Sequence, residues 1–237
     1  MPSPPSSDPA SEAAAPIPRE LAQRPQDLAQ LRAALAAGCR HFPGLRLPDL
    51  NGVDLDLSGC DLRGSCFREA RFGHARLHGA NVERSSFQQA LLWGADLSAL
   101  QAAASFWHDA DLSAARLQGA DFSGAILHRC CLRGVLAAGS RWCDARLVEA
   151  DFRSSLDQLT DLGGSHFHGA DLSFALLQGA QLHGVDLRGA CLYGANLAGA
   201  DLQQANLSGC DLRDANLSGA LLQGADLSWA QLPSTFP

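Results

Sequence analysis

The sequence predicts an all-β coil in which short extended stretches alternate with corners and stack backbone on backbone. Three observations carry this expectation. Large apolar residues recur every five positions, at numbers ending in 2 or 7 from Leu57 to Leu232, and of these 36 positions only Ala102, Ala137 and Asp157 are not Leu, Phe, Val or Trp. A small residue sits two before most of them, as in Ala70, Ala75, Ala80, Ala170, Ala180 and Ala190, with Cys60, Ser65, Cys130 and Cys210 as substitutes. Asp, Asn or Arg commonly fills the place between, and Gly often follows two residues after the large one. A period of five fits neither the 3.6 of a helix nor the simple alternation of a strand. Residues i−2 and i point the same way along an extended segment, and Gly frees the dihedrals of a corner. Such units bury their Leu only by winding and stacking on one another.

The elements follow in order. Residues 1–20 are Pro-, Ser- and Ala-rich, with little to bury, and are expected to form a disordered tail. Residues 21–44 form a lead-in with a helix over 25–38. Pro25 suits its first position, Leu28, Leu31 and Leu35 make an apolar stripe, and Gly38 is a stop signal. The repeats occupy 45–234, leaving 235–237 as a short tail. A coil of stacked strands has two exposed ends, each an aggregation hazard unless covered. The helix is the expected N-terminal cap.

Composition excludes whole classes of function. The 237 residues are 46% hydrophobic but only 6% aromatic, and all 18 cations are Arg. No run of 18 apolar residues exists, so no membrane-spanning helix is expected. The opening residues lack the charged and apolar regions of a signal peptide. The formal net charge of −7 argues against direct nucleic-acid binding, which needs a cationic surface. Acidity is concentrated: residues 145–237 carry ten acids against four Arg. The eight cysteines are irregularly spaced and lack a C-x-x-C, so reduced thiols and a cytoplasmic location are expected.

The A-(D/N)-L-x-x pattern, clear at Ala80-Asn81-Val82, Ala110-Asp111-Leu112, Ala195-Asn196-Leu197 and Ala205-Asn206-Leu207, resembles the pentapeptide-repeat family over residues 55–234. The resemblance implies a right-handed, four-sided (quadrilateral) parallel β-helix with four pentads per coil. On that basis 36 pentads make about nine coils, roughly 43 Å long at about 4.8 Å per stacked strand. Departures near 100–107, 135–142 and 155–161 keep the numerical register, so local distortions are expected and not inserted loops. The family commonly pairs two copies end to end, and Trp229, Leu232 and Phe236 are the candidate residues for such a homodimer. In the other reading, Pro233 and Pro237 simply end strand pairing.

A 20-residue coil would stack outward residues 20 apart. Leu136, Leu156 and Leu176, with Leu159 beside them, then form an apolar column, the candidate partner-binding face; alternatively, distorted coils turn them inward. Asp111, Asp151 and Asp171, with Arg133 and Arg153 alongside, form a solvated charged ladder. His108, His128, His166 and His168 line another face, but Val148 interrupts them and no tetrahedral metal set is apparent. Asp54 to Ser65 opens like a calcium loop yet lacks the acidic twelfth residue.

No G-x-S-x-G, H-E-x-x-H, P-loop or G-x-G-x-x-G occurs, and a Leu/Ala core leaves no room for a pocket. The expected function is therefore non-catalytic and without a cofactor: a scaffold that docks a protein partner on a flat face. The alternative, which the family resemblance implies, is a DNA-mimicking modulator of DNA gyrase or topoisomerase. Family members are abundant in bacteria, which implies a bacterial origin.

Overall fold

The computed structural model describes residues 24–234 and 236; the expected tail over 1–20 lies outside them. Among the described residues one helix, α1 (Leu28–Ala36), precedes the repeats. It starts later than Pro25 because Asp27 is the N-cap, its carboxylate accepting the Gln30 amide at 2.8 Å. Gly38, at φ +84°, ends it. The Gly38 amide donates to the Leu35 carbonyl and the Cys39 amide to the Ala34 carbonyl, each at 3.0 Å, which satisfies carbonyls the helix leaves orphaned. Leu31 and Ala34 are buried in the same hydrophobic core as the first repeats.

From His41 to Gln231 the chain winds as a parallel coil. Parallel bridges join residues 20 apart (His41 to Asp61, Arg46 to Cys66, Asn51 to Arg71, Asp56 to Arg76), so one turn has four sides. The first face begins at His41, the second at Arg46, the third at Asn51 and the fourth at Asp56. Each side contributes one bridge residue and no longer strand, because corners leave so little extended chain between them.

One pentad accounts for all five of its backbone amides. In 61–65, the Asp61 amide donates to the preceding coil (Arg40 O, 2.7 Å), and Leu62 and Gly64 donate to the following one (Asn81 O, 2.7 Å; Glu83 O, 2.9 Å). Ser65 closes the corner on the Leu62 carbonyl at 3.1 Å. The fifth amide, Arg63, finds the Asp61 carboxylate at 3.2 Å. Asp and Asn recur at the bridge position because their side chains satisfy the one amide the ladder leaves over. The corner has its third residue at positive φ, the mark of a type II turn, from Gly44 to Trp229 at every corner except Ser154 and Leu159.

Inside, rings stack from coil to coil: Phe87 on Trp107 at 4.3 Å, Phe122 on Trp142 at 4.5 Å and Trp142 on Phe167 at 5.6 Å. Each buried indole N–H donates to the Ser two residues before it, Trp107 to Ser105 and Trp142 to Ser140, both at 2.6 Å. Ala102 and Ala137 each precede a Trp by five residues, on the next face along the chain, so the missing volume at one side is filled from its neighbour.

Candidate functional site

The ladder is interrupted once. After Asp151 the bridges change from 20 to 25 residues apart (Leu136 to Asp161, Arg141 to His166, Arg146 to Asp171, Asp151 to Leu176) and then return to 20. Residues 154–159 leave the coil as a loop between the third and fourth faces, contrary to the expectation of a mere distortion. The pentad count passes through this segment unchanged, which is why numbering conceals the insertion. Asp157 supplies the physical reason: it stands at a large inward position, where an unpaired carboxylate in a Leu core is strongly disfavoured. Local polar contacts shape the loop. The Ser155 amide donates to the Gln158 carbonyl at 2.9 Å, the Thr160 amide to Ser154 Oγ at 3.1 Å, and the Gln158 side chain to the Gly134 carbonyl.

The loop redistributes the expected leucine column. Leu156 is fully exposed and Leu159 is 56% exposed, both on the loop. Leu136 is half-buried on the fourth face, bridged to Asp161, and Leu176 is half-buried on the third, bridged to Asp151. The four therefore divide between the loop and the two faces that flank it and do not form a column, because the extra pentad moves everything after it round by one face.

The same shift splits the other ladders. Asp111 and Asp151 share a column with Cys131 between them, whereas Asp171 stacks on Arg146. These acids serve the backbone: Asp111 accepts from Ser113 at 2.9 Å and Asp171 from Ser173 at 3.0 Å. Arg153 grips Asp151 at 2.8 Å, and Arg133 approaches the same carboxylate at 3.9 Å. The Asp-x-Arg triplets at 61–63, 186–188 and 211–213 repeat this two-pronged pairing, and Arg63 holds the Asp61 carboxyl down to about 2. No two carboxylates occupy successive rungs of any bridged column.

His108 and His128 lie with tilted rings, centroids 5.2 Å apart, and burial, reinforced by His108, lowers the His128 pKa. His166 and His168 belong to the first face, away from that pair. Among the described residues no three His, Cys, Asp or Glu side chains gather as a metal site. Residues 54–65 form ordinary corners, with Asp54 in the left-handed region and Asp56 accepting the Ser58 amide at 3.0 Å.

At the C-terminal end the core opens. Leu217, Leu222 and Leu227 are only partly buried, Trp229 is 93% exposed, and Leu232 is exposed. Phe236 folds back, its amide donating to the Pro233 carbonyl at 3.0 Å, and lines a cavity of about 390 Å³ with Leu217, Ala220, Leu222 and Pro233. Sequence reasoning missed the loop, although Asp157 at an inward position was its signal.

Comparison with known proteins agrees with this architecture. The family model described as pentapeptide repeats matches eight copies, over 56–140 and 165–235, and passes over the segment that holds the loop. HetL, a pentapeptide repeat protein involved in heterocyst differentiation regulation from the cyanobacterium Nostoc sp. strain PCC 7120, is similar at 31% identity and a TM-score of 0.71. The match covers 89% of this chain and 99% of HetL. Full-length QnrB1, a plasmid-mediated fluoroquinolone resistance protein, matches at 22% identity and a TM-score of 0.39, over 81% of this chain and 93% of its own. No functionally curated protein matches the sequence. With its repeats matched over more than half its length, the chain belongs to the pentapeptide-repeat family, whose members fold as right-handed four-sided β-helices.

Proposed function

We propose that this protein is a non-catalytic interaction scaffold that docks a protein partner through the loop at 154–159 and the leucines around its base. The observation that carries this reading is Leu156, fully exposed on the single loop that breaks the 20-residue coil. A large apolar side chain held clear of the body by a hydrogen-bonded loop has no packing role, and exposed apolar groups of this kind mark interaction sites. Leu136 and Leu176 lie on either side of the same corner and extend the surface.

The alternative, mimicry of DNA toward gyrase or topoisomerase, calls for a continuous negative stripe. Carboxylates here are separated along every bridged column, and four of them are neutralised by an Arg two residues on, so the scaffold reading is favoured. The coil is read as about nine turns with α1 as its N-terminal cap, supported by the burial of Leu31 and Ala34. End-to-end pairing is the rival arrangement for two copies and would use the open C-terminal end around Trp229, Leu232 and Phe236. No helix among the described residues is long and apolar enough to cross a membrane. All eight cysteines are free, which supports a reducing, cytoplasmic setting.

Deleting 155–159 tests the docking role without breaking the fold. It joins Ser154 to Thr160, which is already buried, and yields an ordinary pentad, Asp151-Phe152-Arg153-Ser154-Thr160. The variant should keep its circular-dichroism spectrum and melting temperature while losing the proteins that the tagged parent captures from its own cell extract. Equal capture by a well-folded deletion variant would overturn the reading.

A further inference from the structure

Below the loop, the third face differs from its neighbours. Its pentads 176–180, 196–200 and 216–220 read Leu-Leu-Gln-Gly-Ala, Asn-Leu-Ala-Gly-Ala and Asn-Leu-Ser-Gly-Ala, without one ionisable residue. In the same coils the first face carries Asp186 and Asp226, the second Asp171 and Asp211, and the fourth Asp161 and Asp201. An uncharged strip thus lies within the acidic half of a chain of net charge −7. It is flat, with Gly179, Gly199 and Gly219 at its corners, and its amides form a ladder in which Asn216 donates to Asn196 at 3.2 Å. Depletion of charge is what sets the core of a protein interface apart from ordinary surface.

The strip also has two unlike ends. At the top the loop offers Leu156 and Leu159; at the bottom is the cavity where Leu217, Leu222 and Phe236 meet the polar Asn216 and Ser218. Both lie at the boundary between the third and fourth faces, separated by three rungs, about 14 Å. A two-fold axis lying in the plane of the face, perpendicular to the coil axis and passing between Leu176 and Asn196, turns one copy head to tail against another. It keeps the lateral position and exchanges top for bottom, so each loop meets the other copy's cavity.

We propose that this strip is a self-docking surface: two copies pack third face to third face, antiparallel, each inserting its loop leucines into the other's C-terminal cavity. The contact is closed and self-complementary, as an isologous interface must be. It is also the face on which two acidic halves meet without stacking like charges. The proposal rests on the reading of the loop as a docking element and names its occupant, a second copy of this chain. It differs from end-to-end pairing in leaving Trp229 outside the contact.

Sedimentation equilibrium of the full chain, up to the highest soluble concentration, should give a species of twice the 25.0 kDa chain mass. Deletion of 155–159, or Leu156→Asp with Leu159→Asp, should return the monomer with unchanged melting. Ala198→Asp, which places a charge near the axis, should weaken self-association at least about tenfold, and mixing it with Ala198→Arg should restore a mixed dimer. A photoreactive residue at position 156 should cross-link to the peptide holding Leu217 to Leu222 of the other copy. A dimer that survives these changes but dissociates with Trp229→Asp would overturn the proposal in favour of end-to-end pairing. A wild-type monomer would overturn it too, while capture of some other protein by the parent and not by the deletion variant would leave the docking role of the loop standing.

Discussion

Up to Phe167 the interior mixes Phe, Trp, Leu, Val and Ala, whereas from Leu172 onward every large inward residue is Leu. The corners differ in the same sense. Thirteen of the 24 left-handed corners from Gly44 to Gly169 hold residues other than Gly, against four of the 12 beyond (Phe174, Gln204, Asp214 and Trp229). In the mixed region each irregularity has a partner. Ala137 makes room beside Trp142, Ser140 accepts its indole N–H, and Gly52 is vacant where Phe72 presses, since a Cβ there would come within 2.7 Å of that ring. The uniform region needs no such matching, and for that reason its interior does not specify how it should be phased against what precedes it: Leu over Leu fits at any whole pentad.

Phase is therefore decided at the junction. With the loop out, Trp142 stacks on Phe167, Ser140 Oγ meets Ser165 Oγ at 3.1 Å, and Arg146 lies against Asp171. With that pentad in the coil, a 20-residue spacing would set Asp151 against Asp171, Trp142 against Leu162, and Asp157 inside the core. Ring stacking, opposite charges on neighbouring rungs and exclusion of a buried carboxylate all favour the loop.

The largest effect is expected at this junction. Trp142→Ala removes a ring packed on both sides and should lower stability by about 3–5 kcal/mol, more than Leu197→Ala in the uniform region. Urea denaturation followed by circular dichroism decides it; equal losses would break the distinction between matched and interchangeable interiors. Smaller effects are expected at the corners. Ala114→Gly, in the mixed region, should stabilise by about 1 kcal/mol by relieving a left-handed alanine, and Gly189→Ala, in the uniform one, should cost a similar amount. No atom lies within 4 Å of the added Cβ at Gly189, so thermal melts there report the dihedral alone.

Acid should act least and on both regions alike. Hydrogen bonds from the neighbouring Arg lower the pKa of Asp61 and, after it, Asp186 and Asp211. A carboxylate with a depressed folded pKa contributes stability that is complete above the ordinary range near 4 and is lost as the pH falls through the folded value, about 2 for Asp61. These pairs are largely solvent-screened, so each contributes little. The gap in melting temperature between the parent and Arg63→Gln should be smaller at pH 2.5, which lies between the ordinary and the folded pKa of Asp61, than at pH 6; a constant gap would show that Arg63 acts by packing.

Much of this was legible in the residues. The five-residue period separated inward from outward positions, and Leu31 and Gly38 marked α1 and its end. These features are local, set by side-chain alternation and turn dihedrals within a few residues. What the leucines at 136, 156, 159 and 176 would build was not legible, because a period of five states neither how many pentads make the turn between two stacked neighbours nor which pentad is left out of it. Stacking distance is a property of coils in contact. One excluded pentad, its Asp157 kept in water, moved every later residue round by one face, and only the packed structure decided which side chains share a surface.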